Sequence, residues 1–488
     1  MTSTVTAPLN EMAEDYGRKF WPNASATFEV TSPSTGEVLG HAPDCGQAEA
    51  KHAAESISAG FEEWRRRTPF ERSAVMERWH DLVLANKEGI ALLIAAEVGK
   101  PIRQARGEVD YANAFISWNA AESLRVSGEF LANSTGDRRQ FVVSQPVGPA
   151  FGVTPWNFPA GMVTRSVAPA LAAGCSIVLK PAEQSPLTAL VLGSLWVEAG
   201  GPRDAFLVMP CRDPQPASAE LIADHRIRKL TFTGSHAVGM KLYRDCADTM
   251  KAISLELGGH APFLVFEDAD IDTAVQEAIN CKFRYGGQTC VCTNRLYVHE
   301  SIASEFTSKY VQLASELVVG DPLDESTDIG PLIDEQGLTK VKRHVADAVD
   351  KGARLKVGGK ALQGLYHEPT VLTAVNQDMN VMFEETFGPV APIATFSTER
   401  EAIGLANNTR FGLAAYFWTR DVGRTFRLVD ELNAGIIGAN DGVPGGVAHA
   451  PFGGVKESGV GRAGGRWGLE EFLEPKYVSL RLPEGRAL

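Results

Sequence analysis

From position 47 the apolar residues Ala50, Ala53, Ala54, Ile57, Phe61 and Trp64 recur at three- and four-residue intervals. That spacing lays one buried stripe along a helix. A second helical face follows in Val75, Trp79, Leu82 and Val83, and a third helix stops at Gly99 with Pro101 just beyond. Positions 103–124 predict a fourth helix. These helices are read as core, with no chemistry assigned to any of their residues. Positions 1–46 read as a polar lead-in, then strand-like pieces around the Ser-Pro-Ser-Thr-Gly turn at 32–36. Residues 125–146 are less regular, although alternation over 139–144 predicts a strand.

At about position 150 the pattern changes. Short apolar runs at 150–154, 176–180, 205–208, 229–233 and 252–256 are separated by helical stretches. Strands alternating with helices predict an α/β fold with a doubly wound, mostly parallel sheet, the usual platform for a nucleotide. A second alternating segment follows position 290, with strands expected near 295–298, 390–396 and 414–418. The tail at 475–482 is also strand-like.

Length and composition narrow the picture. The 488 residues exceed what one small core organises, so two or three domains are expected. A net charge of −13 argues against nucleic acid or an anionic membrane as a partner. The longest apolar runs, 89–98 and 168–179, are too short to span a bilayer. The first residues lack the charged and apolar regions of a signal peptide. Seven cysteines, an odd number, form no disulfide framework. A cytoplasmic protein is the expectation.

Polar motifs fall at the carboxyl ends of the predicted strands, where ligands bind in such sheets. In Thr154-Pro155-Trp156-Asn157 the Asn amide could hold an oxyanion, or could bond its own backbone as a turn residue. Lys180 and Glu183 could bond ribose hydroxyls, with the carboxylate repelling a 2′-phosphate, or could be a surface ion pair. Gly234-Ser235 opens a helix, which suits a pyrophosphate or an ordinary cap. Glu256, before Leu257-Gly258-Gly259, sits in an apolar setting that would raise its pKa and suit it to general-base work. Cys290 lies in Gly-Gly-Gln-Thr-Cys-Val-Cys292. It is either a small buried apolar residue or a nucleophile. No Cys/His pair at ligand spacing follows, so no metal is expected. Gly459-Val-Gly461-Arg-Ala-Gly464 fits a dinucleotide fingerprint, but with no strand before it and no clear helix after it, it is read as a loop. There is no G-x-S-x-G, hence no support for a serine hydrolase.

The motifs PWNFP, KPAE, FTGS, ELGG and GQTC, followed by Glu384-Glu385-Thr-Phe387-Gly-Pro389 and Pro451-Phe-Gly-Gly, resemble those of the NAD(P)-dependent aldehyde dehydrogenases, in their order, from about 27 to 481. KFR-x-x-GQTCVC is similar to the succinate-semialdehyde branch. Tyr285 stands where the family usually has Asn.

The resemblance implies a Rossmann-type NAD-binding domain (1–124 and 147–257), an α/β catalytic domain (258–466) and an oligomerisation arm (125–146 and 467–488). A homodimer or homotetramer is implied with it. The implied activity is NAD-dependent oxidation of an aldehyde to its acid, with NADP possible. In that chemistry Cys290 is the nucleophile, Asn157 the oxyanion donor and Glu256 the general base. Thr154, Pro155, Trp156, Asn157, Lys180, Glu183, Gly234, Ser235, Leu257, Glu385 and Phe387 would bind the cofactor. Arg165 and Arg284, with Tyr285 beside them, would line the substrate pocket. The implied substrate is a semialdehyde acid such as succinic semialdehyde, with uncharged aliphatic or aromatic aldehydes as the alternative. Cys290 and Cys292 would form a reversible disulfide. Two rivals are an acyl transferase to coenzyme A, whose members generally lack the Glu256 carboxylate, and a non-catalytic crystallin-like or scaffold paralogue. Retention of Cys290, Asn157 and Glu256 speaks against the second.

Overall fold

The segment from 150 to 256 supplies five strands of a six-stranded sheet in the computed structural model, which describes residues 2–24, 26–134, 137–443 and 446–481. In spatial order the strands are Gly459–Val460, Ala252–Glu256, Lys229–Thr233, Ala150–Val153, Ile177–Lys180 and Phe206–Val208. All neighbours run parallel except Gly459–Val460, which sets Gly459 antiparallel opposite Glu256. The chain first moves from Ala150–Val153 toward Phe206–Val208, then returns to lay Lys229–Thr233 on the other side. Strand order therefore reverses between Ala150–Val153 and Lys229–Thr233, which opens a crevice beyond their carboxyl ends. Every residue of Ile177–Lys180 is buried, as expected where helices cover both faces.

A seven-stranded sheet follows, in the order Arg354–Val357, Thr370–Thr373, Val390–Phe396, Thr293–His299, Ala261–Val265, Ala414–Trp418 and Ile436–Ala439. Only Arg354–Val357 is antiparallel to its neighbour. The strand period of two divides its residues between two cores. Phe263 and Val265 join one, and Leu264, between them in sequence, joins the other.

The helices read from the apolar stripes form as Gln47–Trp64, Pro69–Ala85, Lys87–Val98 and Ile102–Glu122. Thr68 and Glu71 close a capping box at the start of the second. Residues 125–146 contribute Glu129–Leu131 and Arg138–Pro146, which pair antiparallel with each other and with Leu473–Arg481. Residue 482, expected in that last strand, lies outside the described residues.

Two readings need correction. The polar lead-in is a helix, Thr2–Phe20. Leu9, Ala13, Tyr16 and Phe20 lie on one buried stripe, and the Val208 backbone N–H donates to the Tyr16 hydroxyl at 3.1 Å. The polar residues between them masked a legible period. A short helix, Gly465–Glu470, does follow the Gly459–Gly464 run. What precedes the run's last glycines is only a two-residue antiparallel edge strand, so it builds no parallel strand–turn–helix. Among the described residues, no helix is long and apolar enough to cross a membrane.

Candidate active site

Beyond the carboxyl ends of the six-stranded sheet lies a cavity of about 730 Å³. Ala150–Val153 delivers Pro155, Trp156 and Asn157 to it, Lys229–Thr233 delivers Gly234 and Ser235, and Ala252–Glu256 ends on Glu256 itself. Cys290, Arg284 and Tyr285 enter from the opposite wall, and Arg165 from the Gly161–Ala173 helix. Asn157 and Gln288, 131 positions apart in sequence, thus share one crevice.

Cys290 is set by a tight turn. Tyr285, Gly286 and Gly287 are three consecutive left-handed residues, at φ 50°, 59° and 75°. A Cβ on Gly287 would come within 2.3 Å of the Gly388 carbonyl oxygen, so only glycine fits there. Cys290 is partly open to the cavity, whereas Cys292 is buried. Burial pushes the Cys290 thiol up to about 11, against the pull of Arg165 and of its own backbone N–H. Cys292 faces away from this chemistry. Its Sγ accepts from Lys282 Nζ at 3.4 Å and lies 3.3 Å from the Thr293 carbonyl oxygen.

Glu256 is the second reactive group. Burial pushes its carboxyl up to about 8, opposed by Arg165 and Arg462. Its Oε2 is buried and has no hydrogen-bond partner. A carboxylate titrating there, open to a water or a thiol, has the properties of a general base. Asn157, 6 % exposed, donates one amide N–H to the Gln288 carbonyl oxygen at 2.9 Å. The amide carries a second N–H, so the turn-residue reading does not describe its side chain.

Arg165 is buried, with its guanidinium 4.3 Å from the centre of the Phe452 ring. Its Nη2 is a buried donor without a partner, and so is Nε of Arg284. Buried donors are normally satisfied, so two unmatched guanidinium N–H groups in one cavity are a place for an anion. Tyr285 is anchored: its hydroxyl donates to the Val98 carbonyl oxygen at 2.6 Å, and its ring meets those of Trp156 and Phe158 edge-on.

On the sheet side, Ser235 caps the His236–Asp245 helix, its Oγ accepting from the Val238 N–H at 3.4 Å. Leu257, Glu385 and Phe387 also line the cavity. Glu385 accepts from the Gly259 N–H at 3.0 Å, and a Cβ on Gly258 would meet its Oε2 at 2.7 Å. A helix N-terminus facing a carboxylate cradled on bare backbone fits a dinucleotide's phosphates and ribose hydroxyls. Thr154, Lys180 and Glu183 are not part of this wall. The Thr154 N–H donates to the Lys180 carbonyl oxygen at 3.1 Å, and Lys180 Nζ pairs with Glu183 at 3.1 Å. Glu183 is the exposed partner and also borders a more open cavity of about 1080 Å³ beside the 29–36 turn.

The sequence profile of the aldehyde dehydrogenase family matches residues 20–478. The chain belongs to the aldehyde dehydrogenase family. It is 47% identical to a 3-sulfolactaldehyde dehydrogenase of Pseudomonas putida, over 94% of this chain and 95% of that one. It is 45% identical to the NADP(+) succinate-semialdehyde dehydrogenase of Escherichia coli, over 94% and 95%. The crystal structure of succinate-semialdehyde dehydrogenase from Burkholderia pseudomallei superposes with a TM-score of 0.93 at 47% identity, over 94% and 95%. The protein is an NAD(P)-dependent oxidoreductase that converts an aldehyde to its acid.

In this aldehyde dehydrogenase the early helices do more than form core, contrary to their sequence reading. Lys100, Gln104, Glu108 and Tyr111 line the same cavity as Cys290. Their signal was a lysine held between a helix-ending glycine and a proline, with a carboxylate eight residues on, inside an apolar pattern. Charges at such positions are buried only when paired. Phe452, from the Pro-Phe-Gly-Gly motif, is likewise a wall residue that the motif alone did not assign.

Proposed function

We propose that this enzyme oxidises a semialdehyde bearing an acid group at its far end, such as succinic semialdehyde, with Cys290 as nucleophile. The supporting observation is the shared cavity, with thiol, carboxylate and amide at one end and two unmatched guanidinium donors in its wall. The Cys290 sulfur attacks the aldehyde carbon to give a thiohemiacetal. Asn157 and the Cys290 backbone N–H donate to its oxygen. The thiol gives its proton to solvent as the sulfur attacks. Glu256, when ionised, later takes a proton from water, so that hydroxide attacks the thioester, and returns that proton to the departing sulfur as the acid is released. The bound nicotinamide supplies the hydride acceptor. Pro155, Trp156, Gly234, Ser235, Leu257, Glu385 and Phe387 would hold the cofactor, with Thr154, Lys180 and Glu183 framing its ribose.

Arg165 and Arg284 would hold the substrate's anionic group. The names of the two relatives support an acid-bearing aldehyde, one ending in a sulfonate and one in a carboxylate. NAD is preferred over NADP on this reading, because Glu183 would repel a 2′-phosphate. Residues 1–124 and 147–257 would form the cofactor domain and 258–466 the catalytic domain. Residues 125–146 and 467–488 would be an arm pairing with another subunit of a cytoplasmic homodimer or homotetramer, which would cover the exposed Phe130, Tyr477 and Leu480. The test is NADH formation across succinic, glutaric, aliphatic and aromatic aldehydes. The highest kcat/KM is expected on an acid-bearing aldehyde, and a panel led by uncharged aldehydes would overturn the reading.

A further inference from the structure

Behind the loop that carries Asn157 lies a buried ion pair that the chemistry above does not use. Lys100 is 1 % exposed, and its Nζ is paired with Glu108 Oε2, whose side chain is wholly buried. Lys100 also donates to the Asn157 backbone carbonyl oxygen at 2.8 Å. Glu108 turns its other oxygen to the far end of the same loop, accepting from the N–H groups of Ala160 at 2.9 Å and Gly161 at 3.2 Å. The two side chains therefore grip both ends of 157–161. Aromatic rings close the site. Lys100 Nζ lies 3.7 Å from the centre of Phe158 and 4.5 Å from that of Tyr285.

Stability alone is a poor reason for this arrangement. Removing two charges from water is costly, and an apolar pair of similar volume is often as stable or more so. What the charges add is direction: three charge-assisted hydrogen bonds fix a loop that packing alone would leave free to shift. The Asn157 side chain donates to the backbone carbonyl of Gln288, which lies two residues before the nucleophile. Any displacement of the loop is thus a displacement of the amide relative to Cys290.

We propose that Lys100 and Glu108, capped by the Tyr285 ring, are positioning residues that hold the Asn157 amide on the oxygen of an aldehyde attacked by Cys290. This rests on the reading of Asn157 as oxyanion donor. The full-length enzyme is tested with Glu108→Gln, Asn157→Ala and the double variant, using the stopped-flow burst of NADH on succinic semialdehyde at saturating NAD. Asn157→Ala should slow the burst at least about a hundredfold. Glu108→Gln should slow it roughly ten- to hundredfold, with the KM for NAD within about twofold of wild type. In the Asn157→Ala background Glu108→Gln should cost almost nothing more, because its effect passes through the amide. If Glu108→Gln fails to fold, Lys100→Met with Glu108→Leu removes both charges, leaves none unpaired and carries the same cycle. Losses that multiply across the cycle, or a Glu108→Gln burst at the wild-type rate, would overturn the positioning role alone. A wild-type burst from Asn157→Ala would instead overturn the oxyanion assignment on which it stands.

Discussion

Replacing Arg284 by methionine separates substrate recognition from chemistry. Methionine keeps much of the apolar stem and removes only the fork of donors. Arg284 is a better target than Arg165, whose charge also pulls down the titration of both Cys290 and Glu256. Arg284 has no such standing with the nucleophile, and its Nε is buried without a partner. An acid-bearing substrate would satisfy that donor. A hydrogen bond to a charged group contributes about 1.5–3 kcal/mol, so its loss should lower kcat/KM on succinic semialdehyde roughly ten- to hundredfold. On propanal, which carries no anion, the change should stay within about threefold, below about 0.7 kcal/mol. Initial rates of NADH formation at saturating NAD measure both. Arg165→Met should depress both substrates, because it removes a charge beside the reacting groups. Equal losses on the two aldehydes from Arg284→Met would refute the anion clamp.

The base, the cofactor preference and the thiol pair make separate predictions. Because burial raises the Glu256 carboxyl to about 8, its ionised fraction falls as pH drops through that value. Thioester hydrolysis should slow in step, and Glu256→Gln should give one burst of NADH with little turnover after it. Hydrolysis that is flat in rate from about pH 6 to 9 would contradict the assignment. Glu183→Ser should raise kcat/KM for NADP relative to NAD at least about tenfold by removing the repelling charge. A wild-type enzyme already as active with NADP would show that Glu183 does not face the ribose. Mild peroxide should bridge Cys290 to Cys292 reversibly, once the Cys292 sulfur leaves Lys282. Peptide maps showing only over-oxidised Cys290 would exclude the switch.

The parallel sheet was the most legible part of the chain. Its central strands Ala150–Val153 and Ile177–Lys180 are short apolar runs, and burial on both faces produces that pattern without outside help. The same reading placed Asn157 and Glu256 at strand ends, whereas Cys290 stood out by its glycine-rich setting, and the roles of all three came from the family resemblance. The crevice that unites them was not legible. It depends on how the sheet of 252–256 meets the wall of 284–292, and spacing along the chain carries no record of that distance. The first helix was hidden by composition, although Leu9, Ala13, Tyr16 and Phe20 held its period. Lys100 and Glu108 were hidden by their setting, because a charge in an apolar helix pattern reads as a solvated face until its partner is seen.

Tyr285 shows how a single departure from the family pattern should be weighed. Its φ of 50° lies in the left-handed region, which Asn tolerates and a tyrosine adopts only at a cost of roughly 1–3 kcal/mol. Here the conformation is held from several sides. The hydroxyl donates to Val98, the backbone N–H donates to Gln104 Oε1 at 2.8 Å, and the ring packs against Trp156, Phe158 and the Lys100 ammonium. A ring so occupied has little face left for stacking on an aromatic substrate. The unmatched donors of Arg165 and Arg284 have no comparable occupation. An anion would satisfy them, whereas an uncharged aldehyde would leave them buried and unpaired at a cost of at least about 1–3 kcal/mol for each. The balance of satisfied and unsatisfied groups in the wall therefore favours an acid-bearing aldehyde, with Tyr285 serving the scaffold around Lys100.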